Sequence, residues 1–377
     1  MSRAVVQLLV SILLFAGTAG AQAPTALKLK PATVTHPEEF SAITSVRELG
    51  DGRLLVTDPR ERRMVVLDFG TGAARRVGRE GRGPGEFIVP APLHALAADS
   101  TLMFDLSGRR FLLLHRDSVV ATIPPDDPAV QEASGWVAGA DAQGRILTRS
   151  TAPPRDGVTE VTARDSLPVV LVARATGRTD TVARIRPLPR RNVVTRDAQG
   201  RIASASSTQV GILQVEEIPL LFTDGALAIV RADPFRVDWR SPAGRWTLGA
   251  PLPVPRIRID ARERAAYVER NKARYTPSAN PGAPPPAKPP VAGEFPENLP
   301  PFVNGGAMAG PDGLLIVRRS SSADFTDSHY FIIDRQGRLL GELRLPATEL
   351  VVGAGPRALY VSVRDEDDIL RVRRHPW

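Results

Sequence analysis

A repeated pattern of four short apolar runs, separated by turns rich in Gly and Asp, most strongly limits the folds open to this chain. Its clearest copy spans residues 42–87. Runs of this length and spacing predict a four-stranded antiparallel meander. Such a sheet is only marginally stable alone and needs a neighbour on each face. The pattern therefore predicts several similar sheets packed against one another.

The same four-run unit recurs along the chain. The turns between first and second runs fall near residues 52, 100, 144, 225, 313 and 357. Neighbouring turns lie 48, 44 and 44 residues apart, except across two longer gaps of 81 and 88 residues that contain extra sequence. This period is typical of a β-propeller, whereas a β-sandwich does not require the same unit six times. We therefore predict an all-β chain, a six-bladed β-propeller of four-stranded antiparallel blades that forms one domain over residues 24–377.

The second long gap contains one inserted helix and a Pro-rich loop, within residues 257–301. The helix is predicted over residues 260–275, with Asp260 as its N-cap and Glu263 as the capping-box partner. The loop that follows contains two short proline runs, which favour an extended strap. Two interpretations remain open: a lid over the propeller channel, or a surface excursion packed on a blade edge.

The N-terminus has the features of a secretory signal peptide over residues 1–21. Arg3 precedes a short apolar run, and small residues follow up to possible cleavage sites at Ala21 and Ala23. The alternative, a membrane anchor, is disfavoured because the run is short for a bilayer and no further span follows. Because the sequence has no cysteine, it excludes disulfides and lipoprotein processing. We expect a soluble protein in the periplasm or outside the cell.

The last repeat lacks a fourth run, because the chain stops at Trp377 after two clear strands and their preceding turn. Pairing of residues 27–35 with this repeat would complete its sheet and remove an exposed edge. We therefore predict that the N-terminal segment closes the ring.

The formal net charge is +8, but only four of the 49 Lys and Arg residues are lysine. The arginines are scattered along the chain and form no single basic run. This distribution is typical of a solvated, arginine-rich surface. We therefore expect no nucleic-acid partner.

Several segments resemble a known family. Residues 56–68 resemble the second-to-third-strand core of an NHL repeat, and the Gly-rich residues 78–87, followed by Pro90, resemble its inter-blade segment. The whole mature chain is similar to a family of secreted bacterial six-bladed β-propeller proteins of uncharacterised function, through residues 233–239, the charged insertion after them and residues 295–300. The later repeats depart from the NHL consensus. The resemblance implies the fold and is nearly silent on activity.

No motif in the sequence predicts catalysis. The five histidines are isolated and lack zinc-site spacing, and only His94 is a candidate to face the channel. The acidic residues 365–368 lack the alternating ligand pattern of a calcium loop and are interpreted as a solvated turn. The glycines of 78–85 are not followed by the Lys-Ser/Thr of a phosphate loop. We expect no catalytic residue, no metal ligand and no cofactor.

Two classes of function remain open. One is a non-catalytic scaffold, a monomer that binds a protein, peptide or glycan. The other is a propeller-type metal-dependent hydrolase or lyase, gluconolactonase-like or amidating-lyase-like, which needs carboxylates, Asn or His converging from several inner strands. The residues predicted for the inner strands are mostly apolar, which favours the scaffold. They are Ile43, Val46, Leu93, Leu96, Val137, Leu220, Leu221 and Val351.

The candidate binding residues are charged side chains in the loops that join second to third strands and one blade to the next. The resemblance implies that these loops share one face of the propeller. Arginine side chains on a rigid scaffold suit carboxylate or sulfate groups. The alternative is that they pair with neighbouring carboxylates and only stabilise turns. The candidates are Arg60, Arg79, Glu80, Arg82, Glu86, Arg318 and Arg319.

Overall fold

A computed structural model of the chain describes residues 24–97, 99–133, 136–149, 157–162, 165–277 and 285–377. The predicted signal peptide and part of the Pro-rich loop lie outside these ranges. Six sheets of four or more strands, numbered 1 to 6 along the chain, dominate the described residues. No helix in the same ranges is long and apolar enough to cross a membrane.

Short elements precede and follow the first two sheets. The N-terminal strands are β1 (Ala26–Leu27) and β2 (Val34–Thr35). Sheet 1 contains β3 (Ser45–Glu48), β4 (Leu54–Asp58), β5 (Arg63–Leu67) and β6 (Ala74–Arg76). A parallel pair follows, β7 (Arg79–Glu80) and β8 (Glu86–Phe87). Sheet 2 contains β9 (Pro90–Ala95), β10 (Ser100–Asp105), β11 (Arg110–His115) and β12 (Ser118–Ile123). Helix α1 comes next (Pro128–Ala133).

The first long sequence gap forms a small extra sheet. Along the chain the strands are β13 (Val137–Ala140), β14 (Arg145–Arg149), β15 (Gly157–Val161), β16 (Leu167–Ala173), β17 (Arg178–Ile185), β18 (Arg190–Arg196) and β19 (Ile202–Gln209). Sheet 3 has the order β13-β14-β16-β17, and the extra sheet has the order β15-β18-β19. The turn at Asp197, which repeats the turn of sheet 3, joins β18 to β19.

The remaining sheets repeat the four-strand order. Sheet 4 contains β20 (Ile218–Leu221), β21 (Leu227–Ala232), β22 (Phe235–Arg240) and β23 (Trp246–Thr247). Sheet 5 contains β24 (Phe302–Ala309), β25 (Leu315–Arg319), β26 (Ser328–Ile333) and β27 (Leu339–Leu345). Sheet 6 contains β28 (Glu349–Ala354), β29 (Ala358–Arg364) and β30 (Leu370–Pro376).

The core lies between neighbouring sheets rather than inside any one of them. Side chains alternate along each strand, so Leu54 and Val56 of β4 pack against sheet 6 while Leu55 packs against sheet 2. Further buried clusters fill the spaces between sheets 2 and 3, 3 and 4, 4 and 5, and 5 and 6. The central strands of these sheets are therefore apolar on both faces, and the fold is an all-β propeller.

The N-terminal segment completes sheet 6, as the missing fourth run predicted. Strand β2 pairs antiparallel with β30, and backbone bonds from the Thr33 and His36 N–H groups to Arg374 and Val372 extend this pairing. Strand β1 instead pairs in parallel with β27 of sheet 5, which was not predicted. The segment thus joins two sheets.

The insertion is closed at its base and rests on sheet 5. Helices α2 (Ala261–Arg270) and α3 (Lys272–Tyr275) are followed by a 3-10 turn (Ala292–Glu294), and an isolated bridge pairs Arg258 with Asn298. Asp260 caps α2 as predicted, with 2.9 Å from its carboxylate to the Glu263 N–H. The second half of the predicted capping box is wrong, because the buried Glu263 carboxylate accepts from the Ala323 N–H at 2.9 Å. Helix α2 is thereby fixed to the loop between β25 and β26.

An ion pair between sheets 1 and 2 gives a test by pH. Asp117 of sheet 2 lies 2.6 Å from Arg53 of sheet 1, and this hydrogen bond lowers the pKa of Asp117 from 3.8 to about 2. Since the folded-state pKa is depressed, the stabilisation is complete above the unfolded pKa and is lost as the pH falls towards about 2. We expect Asp117→Asn to cost about 1–2 kcal/mol at neutral pH, after allowance for solvent screening. Urea unfolding at neutral and acid pH measures the difference in the free energy of unfolding between the wild type and Asp117→Asn. If this difference were the same in acid as at neutral pH, the prediction would be contradicted.

Candidate functional site

The first strand of each sheet lines a central channel of about 1600 Å³. Neighbouring first strands contact one another, β3 with β9 and β28, β13 with β9 and β20, and β20 with β24. Much of the channel wall is apolar and half-buried, as predicted for the inner strands. Examples are Val46, Leu220, Met308 and Val352.

Sheets 1 and 2 place one polar side chain each at the same position of this wall. Arg47 and His94 both lie two residues before the leucine that begins the first turn. Arg47 donates to the Thr101 hydroxyl, and burial lowers its pKa to about 10. Burial lowers the pKa of His94 to about 4, so the ring is neutral at neutral pH. Its Nε2 has no hydrogen-bond partner among the described residues.

One end of the channel is surrounded by the turns between first and second strands, and its charges are paired between neighbouring sheets. Arg335 of sheet 5 pairs with Asp224 of sheet 4. Arg357 of sheet 6 lies 3.3 Å from Glu48 of sheet 1. The arginines at this end therefore stabilise contacts between sheets.

The opposite end opens into a cleft of about 530 Å³ between sheets 5, 6 and 1. Three arginines line it, each close to the end of a second strand: Arg60, Arg318 and Arg364. The cleft and the channel share four lining residues, and the two spaces are therefore continuous. The shared residues are Thr44, Gly305, Met308 and Val352.

The cleft carries positive charge that the protein does not neutralise. The described residues that line it include no aspartate or glutamate. The guanidinium groups of Arg60 and Arg318 make no hydrogen bond or ion pair with the described part of the chain, whereas Arg364 lies 3.0 Å from Asp368. A phenol completes the wall: the Tyr330 hydroxyl accepts from the Val351 N–H at 3.0 Å, and burial raises the Tyr330 pKa. An anion in the cleft would meet two available guanidinium groups.

Four of the predicted binding residues lie elsewhere, in the Gly-rich loop at 78–87. Arg79 lies 2.6 Å from Glu86, and Glu80 pairs with Arg62. Arg82 is exposed and does not line the cleft.

The Gly-rich loop is held from beneath by a buried arginine. Arg110, at the start of β11, donates to the carbonyl oxygens of Gly81 at 2.9 Å, Arg82 at 2.8 Å and Glu86 at 2.7 Å. Its Nε lies 3.1 Å from the fully buried Asp105. In sheet 1 the corresponding Asp58 accepts from the Ser41 N–H at 2.9 Å and from the Arg60 N–H at 3.0 Å. Arg63, at the start of β5, pairs instead with Glu61 at 2.7 Å, so the buried Asp105–Arg110 pair has no equivalent in sheet 1.

Arg319, the last predicted residue, points away from the cleft arginines. It lies 2.8 Å from the buried Glu342 and stacks over the ring of Phe325. Although burial opposes ionisation of Glu342, the hydrogen bonds from Arg319 and His329 hold its pKa below the ordinary value. Arg319 thus orders the loop on which α2 rests.

Arg364 was not predicted. It is the last residue of β29, whereas Arg318 lies one residue before the end of β25, so the two arginines do not occupy the same position of the repeat. The convergence of Arg60 with both depends on closure of the ring, which no local pattern contains.

The described residues contain no group of three or more His, Asp or Glu side chains that could hold a metal ion. The acidic turn at 365–368 instead folds on itself, with Asp365 accepting from the Ile369 N–H at 2.9 Å and pairing with Arg371 at 2.6 Å. This agrees with its interpretation as a solvated turn.

Comparison with known proteins finds similarity only in overall structure. A member of the DUF4221 family from Bacteroides vulgatus has a TM-score of 0.45 at 10% identity, over 92% of this chain and 94% of that chain. Regucalcin, a calcium-binding protein from Agrobacterium tumefaciens, has a TM-score of 0.38 at 10% identity, over 94% and 97%. A streptogramin B lyase has a TM-score of 0.34 at 14% identity, over 89% and 86%. No protein-family model matches the sequence, and no curated protein matches it. Similarity at this level says nothing about activity.

Proposed function

We propose that this protein is a secreted or periplasmic scaffold, a monomeric six-bladed β-propeller that binds an anionic group of a protein, peptide or glycan without catalysis. The observation that carries the proposal is the pair of guanidinium groups, Arg60 and Arg318, at the rim of an acid-free cleft. Outside the cleft, Arg79, Glu80, Glu86 and Arg319 of the predicted set are each paired within the fold, and Arg82 is exposed on the Gly-rich loop. Two unengaged arginines on a rigid scaffold suit a carboxylate or a sulfate.

The second candidate function is a metal-dependent hydrolase or lyase. Such chemistry requires several ligands converging on the channel mouth. The first strands of sheets 1 and 2 supply Arg47, Glu48 and His94 there, with Glu48 paired to Arg357, and the other sheets supply mainly apolar or small side chains. This favours binding. Metal analysis of the purified mature protein tests the alternative, because stoichiometric bound metal would favour the enzyme.

The cleft arginines can be tested with inorganic sulfate as the probe. We expect the double variant Arg60→Gln/Arg318→Gln to bind sulfate at least tenfold more weakly than the wild type, because charge-assisted hydrogen bonds contribute about 1.5–3 kcal/mol each. Isothermal titration calorimetry at low ionic strength measures the affinity.

The matched control is Arg76→Gln/Arg109→Gln, which removes the same net charge from exposed positions outside the cleft. It should retain wild-type affinity. An equal loss of sulfate affinity in both double variants would show that sulfate binding depends only on net charge. The cleft would then be rejected as the binding site. Arg82→Gln alone tests whether the anion-binding surface extends to the Gly-rich loop.

A further inference from the structure

The cleft and the channel together have the polarity of an amphipathic ligand. The cationic rim of Arg60 and Arg318 lies at the mouth, and Met308 and Val352 line both spaces. Further in, the half-buried Leu220 and Val46 continue the apolar wall. A ligand that followed this path would place an anion at the rim and apolar groups inside.

The channel wall also offers backbone hydrogen-bonding groups. Strands β3, β9, β13, β20, β24 and β28 are each the terminal strand of their sheet, so one edge of each has no neighbouring strand in that sheet. In β24 the pairing register with β25 shifts between Phe302 and Ala307, and Asn304 and Gly305 within the shift are exposed. Both residues line the cleft. Open strand edges pair with extended peptides.

We propose that the ligand is the C-terminal segment of a peptide or protein whose last residues are apolar. The terminal carboxylate binds Arg60 and Arg318, the apolar side chains lie against Met308 and Val352, and strand edges bind the peptide backbone. A glycan fits this path poorly, because its hydroxyl groups would meet an aliphatic wall. This inference rests on the proposed function and specifies its ligand.

The test compares three acetylated pentapeptides by titration calorimetry with the full mature chain. One ends in Leu-Leu with a free carboxylate, one has the same sequence with a C-terminal amide, and one ends in Ser-Ser with a free carboxylate. We expect the first to bind at least tenfold more tightly than each of the others, which corresponds to about 1.4 kcal/mol. The amide lacks the charge-assisted hydrogen bonds to the arginines, and the Ser-Ser acid lacks the burial of leucine side chains.

The outcomes distinguish a failure of the peptide ligand from a failure of anion binding by the cleft. Equal affinity for the Leu-Leu and Ser-Ser acids would overturn the apolar ligand while leaving anion binding intact. Equal affinity for the acid and the amide would overturn the C-terminal carboxylate as the ligand, whereas the proposed function itself fails only if sulfate binding does not depend on Arg60 and Arg318. Tighter binding of dodecanoate than of the Leu-Leu acid would overturn the peptide in favour of a lipid.

A variant of the wall provides independent evidence. Met308→Trp narrows the junction of cleft and channel, and we expect it to abolish the preference for Leu-Leu over Ser-Ser while sulfate still binds. The matched control is Leu340→Trp, at a side chain that is 45% exposed and outside both spaces. An undiminished Leu-Leu preference in Met308→Trp would overturn the proposed path.

Discussion

Deletion of residues 24–36 is expected to lower the melting temperature by about 10 °C, measured by circular dichroism or calorimetry. The deletion removes β2 and the backbone bonds from the Thr33 and His36 N–H groups to β30, at 3.0 and 2.8 Å. It also removes β1, the neighbour of β27, and the buried ring of His36. Backbone hydrogen bonds contribute about 1 kcal/mol each, and each kcal/mol corresponds to about 2–4 °C in a chain of this size class.

The control for this deletion is a shorter one, residues 24–31, which removes β1 and retains β2. We expect a smaller decrease, because β30 keeps its partner. If the longer deletion melts at the wild-type temperature, closure of the ring by the N-terminal segment is wrong.

Replacement of Arg110 by leucine is expected to destabilise the protein by about 3–5 kcal/mol. The leucine fills part of the space but leaves the Asp105 carboxylate, which is fully buried, without its guanidinium partner. It also leaves the carbonyl groups of Gly81, Arg82 and Glu86 without their donor. Chemical denaturation measures the change in the free energy of unfolding.

Arg76→Leu is the matched control. Because Arg76 is exposed on β6, this substitution should change the free energy of unfolding little. A loss of less than about 1 kcal/mol in Arg110→Leu would show that Asp105 is satisfied by backbone N–H groups alone. Because Arg110 does not line the cleft, its variant should bind sulfate normally at temperatures where it is folded.

The repeat was visible in the sequence because every sheet faces two neighbours and needs apolar side chains on both. Leu54 and Leu55, which enter different interfaces, show how continuous apolar runs arise from such packing. The extra sheet could not be assigned, because its strand β19 is exposed along its whole length and has no apolar periodicity. The pairing of β1 with sheet 5 is set by two residues, too few for any pattern.

The candidate site was less predictable than the fold. Loop position placed Arg60 and Arg318 in the predicted set, and the structure brings both to one cleft. Loop position could not distinguish these two available arginines from Arg79 and Arg319. Arg79 and Arg319 are paired with Glu86 and Glu342, and those pairs form only in the folded chain. Whether an arginine is available or engaged depends on which side chains meet across sheet boundaries, and local sequence does not contain that information.

The pairing of β2 with β30 also governs the order of events during synthesis. The ribosome makes β2 near the start of the chain, but its partner is complete only when Pro376 has been added. Until then, sheet 1 presents to water the face that sheet 6 will cover, including Leu54 and Val56. Ring closure therefore joins residues more than 300 positions apart, and such non-local pairing slows folding. A chain in which sheet 6 has not yet formed would leave two apolar faces uncovered, one on sheet 1 and one on sheet 5, and chaperones bind such faces.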